Sequence, residues 1–261
     1  MHALVTGVSA AGGLLLGDGL EVLVQRTGAR RPLDRPWWRC PSCDAPRRGA
    51  RLVPVARSLA LRSGCPSCAA RSAHPWRPAV LGLVSALVLG STAARIGADV
   101  VLAPLAVLGL GLVAISAVDL EHQIIPNRLV YPTLGLMVPL LVVASAVDGD
   151  WGALARAAIA GGGAFAAFYA VHVAVPRGMG FGDVRLAGVI GAGTGWLGLG
   201  RAFVGFLAAF VLGSLLGIVA MAVSGAGRKT KIPFGPFLAA GAWFTVLWGG
   251  PVAHALFHRG A

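Results

Sequence analysis

Val100-Val-Leu-Ala-Pro-Leu-Ala-Val-Leu-Gly-Leu-Gly-Leu-Val-Ala-Ile-Ser-Ala-Val118 runs for 19 residues without a charge and then meets Asp119. As a helix rising about 1.5 Å per residue, such a run nearly crosses the roughly 30 Å hydrocarbon core of a bilayer. It is not isolated. The 261-residue chain is 56% hydrophobic and 12% charged, against roughly 25% charged in an ordinary soluble domain, and its mean hydropathy is +0.77. A soluble globule is excluded. The 38 Gly and 16 Pro are interleaved with Ala, Leu and Val, which excludes disorder and collagen as well. Long apolar runs with short polar turns satisfy their backbone in lipid as helices.

Working outward from this run, comparable segments fall at Ala3 to Val24, Pro78 to Ala94, Leu129 to Val147, Ala157 to Pro176, Leu186 to Gly200, Ala202 to Gly227 and from Ile232 onward. The fold class is therefore an all-α polytopic membrane protein of about eight transmembrane helices. The first segment lacks a basic n-region and a small-residue cleavage site, so it reads as a retained helix rather than a signal peptide. Leu186 to Gly200 is the weak point, being barely long enough to cross. Gly191 with Gly195, and Gly213 with Gly217, have the small-xxx-small spacing that lets helices approach closely.

The formal charge of +12 is concentrated: twelve of the 22 Lys and Arg lie between Arg26 and Arg77 with only Asp34 and Asp44 for acids, so this stretch carries +10. Retention of a basic loop in the cytoplasm accounts for it, with attraction to anionic headgroups and no nucleic-acid partner. Alternation then puts Asp119 to Arg128, Arg177 to Arg185 and Arg228 to Lys231 inside, and both termini outside. Three parts follow: a first transmembrane helix at 1–25, a basic cytoplasmic insert at 26–77, and a seven-helix membrane core at 78–261.

All four cysteines lie in the insert, as Cys40-Pro-Ser-Cys43 and Cys65-Pro-Ser-Cys68 with 21 residues between the pairs. That spacing suits one structural Zn²⁺ held by four thiolates, whose binding would supply the insert's folding free energy. The alternatives are paired disulfides, disfavoured in a reducing compartment, and a redox CxxC, which belongs on a thioredoxin-like unit not seen here.

Acids near membrane-spanning segments are costly, about 2.5–3.5 kcal/mol at a helix centre. Asp34 and Asp44 lie in the insert, Asp99, Asp148 and Asp150 in outer loops, and Asp18 and Glu21 at the end of the first helix, from which they reach the inner interface. Asp119, Glu121 and Asp183 stand at inner helix ends. Asp119 precedes Pro126 and Asn127, which set the next turn, and Asp183 follows Gly178-Met-Gly180-Phe-Gly182, where glycine lets a substrate backbone come close. For either aspartate alone an interfacial cap or salt bridge is the plainer role, with Arg185 at hand. Two on one side point further, because paired carboxylates hold one proton between them and activate a water, as in aspartic proteases. His122 and His172 lack a nucleophilic partner.

Asp119 with Ile125-Pro126-Asn127, the Gly180-Phe181-Gly182-Asp183-Val184-Arg185-Leu186 run, the Pro233-Phe234-Gly235-Pro236-Phe237-Leu238-Ala239-Ala240-Gly241 run and the two CPSC pairs together resemble the type IV prepilin peptidases, the bacterial branch of the GxGD membrane aspartic proteases. The two aspartates are 64 residues apart, in keeping with that family. The resemblance implies a multi-pass enzyme of the bacterial cytoplasmic (inner) membrane. It would cut the basic leader from prepilins, and from the pseudopilins of type II secretion, at the cytoplasmic face. Asp119 and Asp183 would be catalytic, with Gly180, Gly182, Pro126, Asn127 and Gly235 supporting the loops or substrate. Many members also methylate the new N-terminus with S-adenosylmethionine. Two departures stand out: Arg185 where Lys is usual, and Glu21 in place of Asn in the stretch associated with methylation. A proton-coupled transporter using both aspartates as a relay, or a silent assembly factor, is the rival reading.

Overall fold

The computed structural model describes residues 1–29, 43–45, 67–68, 76–175, 179–224 and 233–257. The described residues form eight α-helices and no strand: α1 His2–Gly28, α2 Arg77–Ile96, α3 Leu102–His122, α4 Asn127–Asp148, α5 Trp151–Ala174, α6 Phe181–Leu197, α7 Leu199–Ser224 and α8 Gly235–Phe257. Seven of them are long and apolar enough to cross a membrane, and α6 is not among these. Large apolar side chains such as Leu136, Ile159, Val211 and Leu215 are more than half exposed, a surface that suits lipid tails and not water.

Packing divides the chain into two compact units, Met1–Ala98 and Asp99–Ala261. The change of composition near residue 77 precedes α2, which packs with α1 in the first unit. In the first unit α1 and α2 lie against each other through glycines. A Cβ on Gly13 would stand 2.6 Å from the Ala86 nitrogen, and one on Gly17 would stand 2.5 Å from the Gly82 Cα, so only bare backbone permits this approach. Asp18 and Glu21 are fully buried instead of reaching an interface. Arg77 Nε sits 3.0 Å from Glu21 Oε2, and Gln25 Nε2 donates to Glu21 Oε1. Most of the insert, including Cys40 and Cys65, lies outside the described residues, while Cys43 and Cys68 are both exposed.

In the second unit α5 packs most extensively on α6, and α7 on α8. The sequence expectation for Gly191 and Gly195 holds: Cβ atoms there would collide with Ala160 at 2.5 and 2.3 Å. Helix α6 also contacts α3, α4, α7 and α8, and Val184, Leu186, Ala187, Val189 and Ile190 are buried. A 17-residue helix suffices here because protein, and not lipid, surrounds it. Helix α5 starts at Trp151, earlier than the apolar run begins. Asp150 caps it, its Oδ1 accepting the Ala153 N–H at 2.9 Å, and that N–H and the Arg156 guanidinium hold the Asp150 carboxyl below the usual range.

Candidate active site

Helix α3 ends with Gln123 in the left-handed region, at φ 52 and ψ 39, its N–H donating to the Asp119 carbonyl. Pro126 then takes an extended conformation, φ −80 and ψ 131, and caps α4, since its fixed φ and missing N–H suit the start of a helix and not its interior. This turn leaves Asp119 one turn inside α3, with 4% of its surface exposed. Its Oδ2 accepts the Gly235 N–H at 2.9 Å. That donor is one of the N–H groups left unpaired at the start of a helix, where the helix dipole also favours a negative charge. A Cβ on Gly235 would stand 2.8 Å from the same oxygen, so the contact requires glycine.

Asp183 occupies the first turn of α6, which begins five residues before the apolar run that marks it in the sequence. Its Oδ2 accepts the N–H of Gly180, the residue capping the helix, at 3.1 Å, while its own N–H donates to the Gly180 carbonyl at 3.1 Å. The aspartate builds the helix start that holds it, which an apolar run cannot reveal. Gly182 is needed because a Cβ there would stand 2.7 Å from the Ile125 Cβ. The GxGD segment thereby seats directly on the turn that follows Asp119.

The two carboxylates sense one another. Burial, and after it the negative charge of Asp119, push Asp183 up to about 6 against the pull of the Gly180 N–H. Asp183 lies at the end of α6, outside the seven spans. Two such carboxyl groups titrate as a pair and favour sharing one proton. That arrangement offers a base and an acid to one water molecule.

Other polar residues sort around this pair. Arg185 makes no ion pair with either aspartate among the described residues. It donates through Nη1 to Asn127 Oδ1, and its guanidinium lies 4.3 Å from the Phe181 ring centroid. Asn127 and Arg185 thus join the start of α4 to the start of α6. Glu121 stays at the exposed end of α3 with an oxygen 3.5 Å from His122 Nε2. His172 has a role the sequence did not reveal: its Nδ1–H donates to the Met179 carbonyl at 2.8 Å, and its ring lies 5.6 Å from that of Phe181, tying the end of α5 to the segment entering α6. No local pattern marks such a pairing.

Fold and site define a class, an all-helical multi-pass membrane protein with two interacting acids at neighbouring helix ends. Residues 106–221 match the model of the type IV leader peptidase family, a range that holds both aspartates. Over 88% of its length the chain is 34% identical to 78% of a prepilin leader peptidase/N-methyltransferase from Stutzerimonas stutzeri. Proteins of the same name from Pseudomonas aeruginosa, at 32% identity over 80% of this chain and 71% of the relative, and from Pseudomonas putida, at 31% over 91% and 88%, are also similar. No solved structure gives a match. The chain belongs to the type IV leader peptidase family.

Proposed function

We propose that this protein is a prepilin leader peptidase of the bacterial cytoplasmic membrane, with Asp119 and Asp183 as its water-activating pair. The observation that carries the reading is the seating of the Asp183 segment, through Gly182, on the Ile125 turn that follows Asp119, in a chain whose named relatives are leader peptidases. Asp119, held by the Gly235 N–H, is the ionised member and takes a proton from the attacking water. Asp183, whose ionisation burial and its neighbour oppose, keeps the shared proton and gives it to the carbonyl oxygen of the scissile peptide. Asp119 returns the proton it took to the amide nitrogen, and collapse of the tetrahedral intermediate gives the proton on its oxygen back to Asp183 and releases the leader as a carboxylic acid and the mature pilin as an amine. Prepilins and pseudopilins are the proposed substrates and the lipid bilayer is the setting. Family membership leaves the transporter and the silent assembly factor without support.

The relatives' names also carry N-methyltransferase. We assign a second activity of that kind, with S-adenosylmethionine as the methyl donor, to the first unit and the insert. Glu21 is sealed and engaged with Arg77, so its part is to fix the end of α1 and not to touch the donor. For the insert we propose a structural Zn²⁺ on Cys40, Cys43, Cys65 and Cys68, resting on the CxxC spacing and on the affinity of Zn²⁺ for four thiolates. Co-expression with a prepilin followed by N-terminal mass analysis tests both activities. Loss of the leader reports the peptidase, and a mature N-terminus heavier by one methylene reports the methyl transfer. An uncut prepilin at normal enzyme levels would refute the first assignment, and cutting without added mass despite supplied S-adenosylmethionine would refute the second.

A further inference from the structure

Helix α8 starts at Gly235 beside Asp119 and reaches His254 nineteen residues later, about 28 Å along its axis. At that far end, the corner between α6 and α7 and the last turns of α8 enclose an open cavity of about 620 Å³, within the roughly 300–1,000 Å³ of small-molecule sites. Bare backbone makes the room. Gly198 turns the corner at φ +142, and a Cβ on Gly250 would stand 3.2 Å from Arg201 Nη2. The guanidinium therefore lies across the glycine surface of α8, just before the internal Pro251.

The chemistry of the walls is one-sided. Arg201 and His254 line the cavity with Phe203, Phe257 and several glycines, and no carboxylate is among the lining residues. Arg156, by contrast, has Asp150 at 3.0 Å. Among the described residues no acid pairs with Arg201. Arg201 is exposed at the start of α7, where a long side chain can reach the headgroup level, and a guanidinium fork matches phosphate oxygens. Phe203 and Phe257, with ring centroids 6.2 Å apart and both more than half exposed, extend the site into an apolar wall.

We propose that this cavity binds the headgroup phosphate of an anionic phospholipid in the leaflet opposite the aspartates. Arg201 forks onto the phosphate, and an acyl chain lies along Phe203 and Phe257. The site is distinct from the peptidase centre and does not depend on its chemistry.

The test uses the purified full chain, equilibrated with equimolar phosphatidylglycerol and phosphatidylcholine, and native mass spectrometry of what it retains. About one phosphatidylglycerol per chain is expected, with retention falling on the order of tenfold in Arg201→Gln through loss of the charge-assisted fork. Gly250→Ala keeps every charge and places a methyl group 3.2 Å from Arg201 Nη2, so the guanidinium must give by a few tenths of an ångström, and a smaller loss of lipid in the same direction is expected. Prepilin cleavage in detergent should stay at the parent rate in both variants, which also reports that they fold. Equal retention of phosphatidylcholine, parent-like retention by Arg201→Gln, or inorganic phosphate bound as tightly as the lipid would each overturn the proposal.

Discussion

Asp183 is held where its ionisation is opposed, and that has a measurable cost. A carboxyl group whose folded value is raised contributes stability that is complete below its unfolded pKa, near 4, and is lost as pH rises through the folded value, about 6. Asp183→Asn removes that loss while its amide oxygen still accepts the Gly180 N–H. Its thermal stability in detergent at neutral pH is expected to exceed the parent's by about 1–2 kcal/mol, even as cleavage disappears. A less stable variant would show that the side chain serves the fold. Gly235→Ala acts on the other acid. The added Cβ displaces the Asp119 carboxylate, and small misplacements of reacting groups are costly, so kcat is expected to drop about 10–100-fold with the protein still inserted. Both aspartates were legible in the sequence because acids at the ends of apolar helices need a reason. Gly180 and Gly235 were named through the family resemblance, but their hydrogen bonds to the aspartates were not, since Gly235 is 116 residues from Asp119 and only tertiary packing joins them.

Helix α6 shows how far a single element can be read. Its apolar body from Leu186 and its close glycine contacts followed from hydropathy and spacing. Its first turn did not, because there the helix is made by an aspartate and two glycines that a search for apolar runs passes over. Likewise the pairing of Arg185 with Asn127, 58 residues away, carries no periodic signal, and Arg185 looked like a salt-bridge partner for the aspartate beside it. Arg185 locks the starts of α4 and α6 by a hydrogen bond and by stacking on Phe181. Arg185→Gln is expected to lower stability by about 1–2 kcal/mol and to slow cleavage. Arg185→Lys, which keeps the charge without the planar fork, should fall between Gln and the parent. Melting temperatures and cleavage rates of the three proteins decide this, and a Gln variant equal to the parent in both would remove Arg185 from the lock.

At the scale of the molecule, composition established a multi-span helical protein, and charge placed the basic insert between the first two helices. The grouping of α2 with α1 escaped that reading, because hydropathy counts spans without saying which ones meet. The glycines Gly13, Gly17 and Gly82, which decide it, sit among many others with no such role. For the insert, the four-thiolate reading makes a direct demand. Purified protein should carry about one equivalent of zinc, Cys40→Ser should release it, and the expected consequence is weaker prepilin docking, seen as a raised KM with kcat kept. Stable disulfides in metal-free protein would contradict it. The pairing of Asp119 with Asp183 is the central claim, and single-turnover cleavage of a prepilin by the parent, Asp119→Asn, Asp183→Asn and the double variant, at matched levels in the same detergent, tests it most directly. Groups that act as a unit lose their function together, so each single variant should fall by at least about 10³-fold and the double variant no further. Cleavage near the parent rate by either single variant would contradict the pair.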